Sequence, residues 1–215
     1  MGLPRFPRIE DLLGARLDNL EEKHLQAVVG RSGTDPVRED ADLDFKEALY
    51  AESRQADLAA DVAAMANSRG GVLLIGIGGN DIAAILSPVQ VTDAEERRMR
   101  QIIADRVFPR PDYEIAAIPI GGSPDQGVFV IAIPKSPFAP HAARDGGLRY
   151  YVRDGARNRP LSESEIADAY KNRFELARAQ ADRLSEVDAE AIENYPHIET
   201  WLRLSLVPTI PGSMP

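Results

Sequence analysis

Apolar residues fall along this chain in three kinds of pattern, and their order outlines a fold. In IEDLLGARLDNLEEKHLQAVV (9–29), Leu20, Leu25 and Val28 recur at helical spacing, predicting one or two short amphipathic helices with Asn19 as an N-cap. GRSGTDPVRED (30–40) reads as a loop. ADLDFKEAL (41–49) alternates: Leu43 and Phe45 share one side, Asp42, Asp44 and Lys46 the other. That predicts a half-buried strand with a charged outer face. QADLAADVAAMANSRGG (55–71) predicts a helix with Leu58, Val62 and Met65 on one stripe, ending at Gly70-Gly71. GVLLIGI (71–77) is continuously apolar, as expected of a strand covered on both faces.

Further on, DIAAIL (81–86) predicts a short strand, and DAEERRMRQIIADRV (93–107) a helix capped by Thr92 or Asp93. YEIAAIPI and GVFVIAIP are two strands joined by a GGSPDQ turn, and LRYYVRDG a further strand entering a turn. In 161–184, Ser162 and Glu165 form a capping box, and Ile166, Tyr170, Phe174, Ala177 and Leu184 a stripe expected to be buried. Near the end, Leu202, Leu204 and Leu206 alternate with Arg203 and Ser205, predicting a strand with no later partner. Either it docks on the existing sheet or the natural chain continues.

Composition adds little at first: 44% apolar and 27% charged is ordinary for a globular protein. The absence of cysteine removes disulfides and thiolate zinc sites, and the three histidines show no metal-ligand spacing. His24, on a charged helical stretch, reads as solvated. No apolar run approaches a membrane span and no apolar leader opens the chain, so the expectation is a cytoplasmic protein without membrane contact. The net charge of −9 argues against unselective attraction to nucleic acid or anionic lipid. Its distribution changes that picture. Between Lys135 and Pro160, six bases (Lys135, Arg144, Arg149, Arg153, Arg157, Arg159) face only two acids, Asp145 and Asp154.

Four stretches, in order, carry a family resemblance: ADLDFKEAL, DVAAMANSRGGVLLIGI, VFVIAIPKSPFAPHAA and LRYYVRDGARNRPLSESEIADAY. They resemble the Schlafen AlbA_2 domain, whose pattern is an acidic-Phe-Lys strand, an AxANxxGGxxxxG unit, a VPxSxxxPH strand exit and a YxRxG ending. The resemblance covers roughly 36–175. It sets apart 1–35 as an N-terminal helical extension, and 176–215 as a C-terminal helix and strand, the start of a further domain if one follows. It implies an α/β fold with a mixed sheet flanked by helices, and a nucleic-acid-binding or regulatory role. Some animal relatives are endoribonucleases that use a carboxylate triad and a divalent metal.

In those relatives the acids stand as Glu-x4-Glu-Phe-Lys, with a third just after the central strand. Glu39 and Asp44 have the same offset here, and Lys46 takes the Lys position. Two such carboxylates suit Mg²⁺ or Mn²⁺, and a nearby Lys suits charge developing on phosphoryl oxygens. The third acid is missing: its position falls on Gly79, and Asp81 serves only if the loop shifts by two residues. Solvated acids guarding an edge strand are the plainer reading.

The basic segment supports a binding surface. Arg149, Tyr151 and Arg153 share one side of a strand, a face able to hold phosphate oxygens and stack a base. Arg157 and Arg159 follow in the turn, and Lys135, His141 and Arg144 extend the surface. No phosphate loop, dinucleotide fingerprint or GxSxG motif is present. Asn67 reads as a helix-end residue.

The leading expectation is therefore a module that binds DNA or RNA through its phosphate backbone, needs no cofactor for binding, and is a candidate homodimer. The alternatives are a Mg²⁺- or Mn²⁺-dependent endoribonuclease using Glu39, Asp44 and Lys46, and an assembly domain without a nucleic-acid ligand.

Overall fold

The computed structural model describes residues 6–31, 35–79 and 81–194. The chain divides into two compact units, Met1–Leu161 and Ser162–Pro215.

In the first unit, helices α1 (Pro7–Leu13) and α2 (Glu22–Val29) precede strand β1 (Leu43–Lys46). Helix α3 (Gln55–Asn67) leads into β2 (Gly70–Ile75), followed by three two-residue strands, β3 (Ile77–Gly78), β4 (Ile85–Leu86) and β5 (Val89–Gln90). After α4 (Asp93–Arg106) come β6 (Val107–Phe108), β7 (Glu114–Ile120), β8 (Ser123–Pro134), β9 (Ala142–Arg144), β10 (Leu148–Asp154) and β11 (Arg157–Pro160).

These strands form two main sheets. In the first, β1 runs parallel to β2, with Leu43 opposite Val72. β2 runs antiparallel to β8, and β8 antiparallel to β7 and β5. The sheet is therefore mixed, and helices cover both its faces. The continuous apolar run of β2 is explained by that double cover. Leu73 and Ile75 point toward α3 and α4, where they meet Leu58, Val62, Met65 and Ile103. Val72 and Leu74 point the other way and join Ile9, Leu12, Leu25 and Val28 of α1 and α2. The N-terminal helices thus share one core with the sheet. On β8, Phe129 and Ile131 repeat the first pattern, Val128 and Val130 the second.

The second sheet is antiparallel, in the order β11-β10-β9-β6. Helix α3 lies between the two sheets and is buried nearly all round, including Ala59, Ala63, Ala64 and Ala66. Small side chains let both sheets approach its axis closely.

Local sequence signals account for most boundaries. Thr92 caps α4, its hydroxyl accepting from the Glu95 amide. Glu21, not Asn19, begins α2, in a capping box closed by His24, whose Nδ1 accepts from the Glu21 amide at 2.9 Å. His24 is therefore a capping residue rather than simply solvated. The β7–β8 turn narrows to Gly121-Gly122, both at positive φ, and β8 starts at Ser123. At Gly70, φ is +81° and a Cβ would lie 2.6 Å from the Ile133 carbonyl oxygen, so only glycine fits where β2 opens against β8.

The second unit contains α5 (Glu163–Asn194). Its capping box forms as predicted: the Ser162 amide donates to Glu165 at 2.8 Å, and the Glu165 amide to Ser162 Oγ at 3.4 Å. The stripe expected to be buried is not: Phe174, Ala177 and Leu184 are exposed, and Ile166 and Tyr170 only half-buried. The predicted strand at 199–206 lies outside the described residues. No described helix is long and apolar enough to cross a membrane.

Candidate nucleic-acid interface and buried ionic network

The alternation of β1 places Asp44 and Lys46 together, as the sequence predicts, but on the side covered by α3. Asp44 is therefore buried, not solvated, and Phe45 is buried as well. The reading of these acids as a solvated edge is corrected on this point: both faces of β1 are covered. Asp44 Oδ2 accepts from Lys46 Nζ at 2.6 Å and lies 3.5 Å from the Arg153 guanidinium. Lys46 also approaches Asp61 at 3.8 Å. Asp61 accepts from the Tyr50 hydroxyl and, at 2.6 Å, from Asn158 Nδ2. Arg153 closes the network by donating to Asn158 Oδ1 and to the Asp40 carbonyl.

Two buried carboxylates, Asp44 and Asp61, thus face two cations, the buried Arg153 and the partly exposed Lys46. The pairing offsets desolvation that neither acid would tolerate alone. Burial, partly countered by Lys46, raises the Asp61 carboxyl above its ordinary range. Burial and the neighbouring Asp61 push the Tyr50 hydroxyl well up. Glu39 lies beside this network, its Oε1 accepting from the Phe45 amide at 3.0 Å. Burial raises its carboxyl too, against the lowering effect of that amide.

Sequence reasoning missed Asp61, Tyr50 and Asn158. A signal for Asp61 was available: a lone acid in LAADVAAMA, a helix apolar on every side, requires an internal partner. Asn67 serves as a clamp. Its Nδ2 donates to the carbonyls of His141 and Tyr151, and its Oδ1 accepts from the His141 amide at 2.7 Å. Ser68 Oγ accepts from the Arg153 amide. The Asn-Ser pair thereby ties the end of α3 to the second sheet.

These contacts decide whether the residues suit a metal. Asp44 pairs with two cations, while Glu39 accepts one backbone amide and lies within hydrogen-bonding reach of the Asp44 carboxyl. Gly79 cannot supply a third acid: its φ is +142°, and a Cβ there would meet the Ile82 carbonyl oxygen at 2.0 Å. Asp81 sits at φ 59°, its carbonyl accepting from the Glu39 amide. Among the described residues no group of three or more His, Cys, Asp or Glu side chains is placed to hold a metal ion. Glu39 and Asp44 thus adjoin, and the third acid of the triad that the resemblance implies has no counterpart at Gly79.

The basic segment is redistributed in a similar way. Arg149, Tyr151 and Arg153 do share one side of β10, but that side faces α3. Tyr151 packs against the core there, and Arg153 is buried. His141 is fully buried, its Nδ1 2.6 Å from the Pro109 carbonyl oxygen. The expectation of Arg153 and His141 on the surface is corrected: both are structural. Arg149 sits at the exposed start of β10, and Lys135 at the exposed end of β8. The opposite side of the sheet carries Tyr150 and Val152, not Tyr151. Val152 pairs across to Arg159, and Asp154 to Arg157, so both arginines share that outward side. Arg144 is exposed on β9, its guanidinium 4.7 Å from the Phe108 ring centroid.

Comparison with known proteins places this arrangement. A family model described as Schlafen, AlbA_2 matches residues 39–162. No curated protein matches the chain. Among solved structures, the chain is similar to the DIP2311 protein from Corynebacterium diphtheriae, at 20% identity and a TM-score of 0.47. That match covers 76% of this chain and 29% of the other, so the chain spans under a third of that protein's length. It is also similar to the N-terminal domain of a DNA helicase RecG-related protein from Nitrosomonas europaea, at 19% identity and a TM-score of 0.43, covering 65% of this chain and 87% of that domain.

Proposed function

The chain belongs to the Schlafen AlbA_2 family, and we propose that it acts as a nucleic-acid-binding module that contacts the phosphate backbone. The observation that carries this reading is the outward side of the second sheet. There the β10–β11 register sets Arg159 opposite Val152 and Arg157 opposite Asp154, on the side that carries Tyr150, with Arg144 exposed on the same side of β9. Arginine forks suit phosphate oxygens, and an aromatic ring among them suits a base or ribose. Nothing on this side resembles a base-reading code, so selectivity rests on shape and backbone. A homodimer would double the electrostatic contact, and a light-scattering mass reads that directly.

Titration of labelled single-stranded DNA, duplex DNA and tRNA at several salt concentrations, with and without Mn²⁺, tests the proposal. Wild type should retain nucleic acid in a salt-sensitive manner and leave it intact. Joint Arg157→Ala and Arg159→Ala should weaken binding uniformly and reduce the logarithmic salt slope by about 1.4 on single strands. Unchanged binding would remove the surface from consideration. Metal-dependent shortening of the tRNA would overturn the conclusion drawn from Glu39, Asp44 and Gly79.

A further inference from the structure

Helix α4 presents a second basic surface that the sequence does not single out. Two open clefts flank it. One, of about 510 Å³, lies between α4 and the segment before β7, and Arg97, Arg100 and Arg110 line it. The other, of about 380 Å³, runs toward β9 and is lined by Arg98, Arg106 and Arg144. Gln101 belongs to both, so the clefts adjoin across one turn of helix. The acids lining them are Asp112 and Asp105, one in each cleft.

The pairing of these arginines is uneven. Arg98 and Arg100 pair along the helix with Glu95 and Glu96, the ordinary arrangement of a solvated face. The other four have no carboxylate partner among the described residues. Arg97 donates to the Asp93 carbonyl of its own helix, and Arg106 to the Arg144 carbonyl and Gln55 Oε1. Arg144 lies over Phe108, and Arg110 is exposed. With 34 acids against 25 bases in the chain, partners are in excess, so four neighbouring arginines left without one are informative.

We infer that the clefts along α4 form a second phosphate-binding track, which takes the backbone of a nucleic-acid strand and joins the second sheet at Arg144. This rests on the nucleic-acid reading above and extends it. At 1.5 Å and about 100° per residue, Arg97 and Arg106 stand roughly 13 Å apart along the helix axis and on opposite sides of it, so the strand crosses α4 at Gln101, which lines both clefts. A strand with one phosphate per 3.4 Å presents about four charges over that span. Tyr113 lines the first cleft with the Arg100 guanidinium 5.7 Å from its ring centroid, which supplies a surface for stacking beside the phosphate contacts. Open clefts lined by several arginines suit a polyanion better than an apolar small molecule.

The test uses the full chain and a labelled 20-nucleotide single-stranded DNA, with anisotropy measured over a salt series. Joint Arg97→Gln and Arg110→Gln should reduce the logarithmic salt slope by about 1.4, as expected for two lost phosphate contacts. Arg54→Gln, an exposed arginine already paired with Asp57, controls for net charge and should leave the slope unchanged. If the joint α4 variant binds like wild type while the Arg157 and Arg159 variant is weakened, the α4 track is refuted and the nucleic-acid reading stands. If Arg54→Gln weakens binding per charge as much as the α4 pair, general charge is responsible and the track is refuted. If wild type retains no oligonucleotide at low salt, both readings fall.

Discussion

Arg153 and Asp44 lie 3.5 Å apart with their side chains 2% and 3% exposed, an ion pair enclosed between β10 and β1. A pair of this kind is costly to break from one side, because the remaining charge stays buried. Arg153→Ala should therefore destabilise the fold by about 3–5 kcal/mol. Arg157→Ala, one exposed strand away, should change it by less than about 0.5 kcal/mol. Urea unfolding of the two variants separates them. Equal effects would mean that Arg153 is not enclosed as described.

The Asn67 clamp leads to a second expectation. Asn67→Ala leaves the His141 amide and the His141 and Tyr151 carbonyls without their side-chain partner. Unsatisfied buried groups cost about 1–3 kcal/mol each when water cannot reach them. A loss of about 3 kcal/mol in denaturant unfolding is expected, with the second sheet loosening first by amide exchange. A loss below about 0.5 kcal/mol would contradict the clamp.

Restoring an acid after the central strand should not create a nuclease. Gly79→Asp forces a side chain onto a backbone at φ +142° and into the Ile82 carbonyl. Strain of about 1–3 kcal/mol is expected, with no gain of Mn²⁺-dependent RNA cleavage. Cleavage by the variant would show that the loop rearranges and that the other two acids can bind metal after all.

Asp61 should leave a signature in the pH dependence of stability. Its carboxyl is raised above the ordinary value of 3.8, chiefly by burial. The folded state therefore holds a proton over a range where the unfolded chain has released it, and stability falls as pH rises through that range. Its contribution is most favourable below 3.8 and is lost above the raised folded value. The stability advantage of wild type over Asp61→Asn should accordingly narrow as pH rises through this window. A gap that widens would mean that the carboxylate is stabilised by Lys46 more than burial opposes it.

Much of the first sheet was legible in the sequence because its signals are local and strong. The apolar run of β2 reflects a single physical requirement that one short stretch satisfies, as does the Ser162–Glu165 box of the second unit, whereas Gly70-Gly71, read as the end of α3, opens β2 instead. In the second sheet only β10 was legible. AAR and RNRP, the strands β9 and β11, are short and carry no apolar alternation, since their partners rather than their side chains define them. The direction of β10 failed for a related reason. Alternation shows which residues share a side, but which side is covered depends on α3, more than eighty residues earlier in the chain. A strand whose inner side carries Arg153 looks outward-facing until Asp44 and Asn158 are in place.

The position of α3 between the two sheets has a mechanical consequence. Either sheet, taken alone, would expose one flank of a helix lined with alanine and methionine, so neither is a removable part. The first unit should therefore resist division by protease or by splitting the gene at the loop before β9. Tension applied across the two sheets should rupture them in one step rather than peel them in sequence.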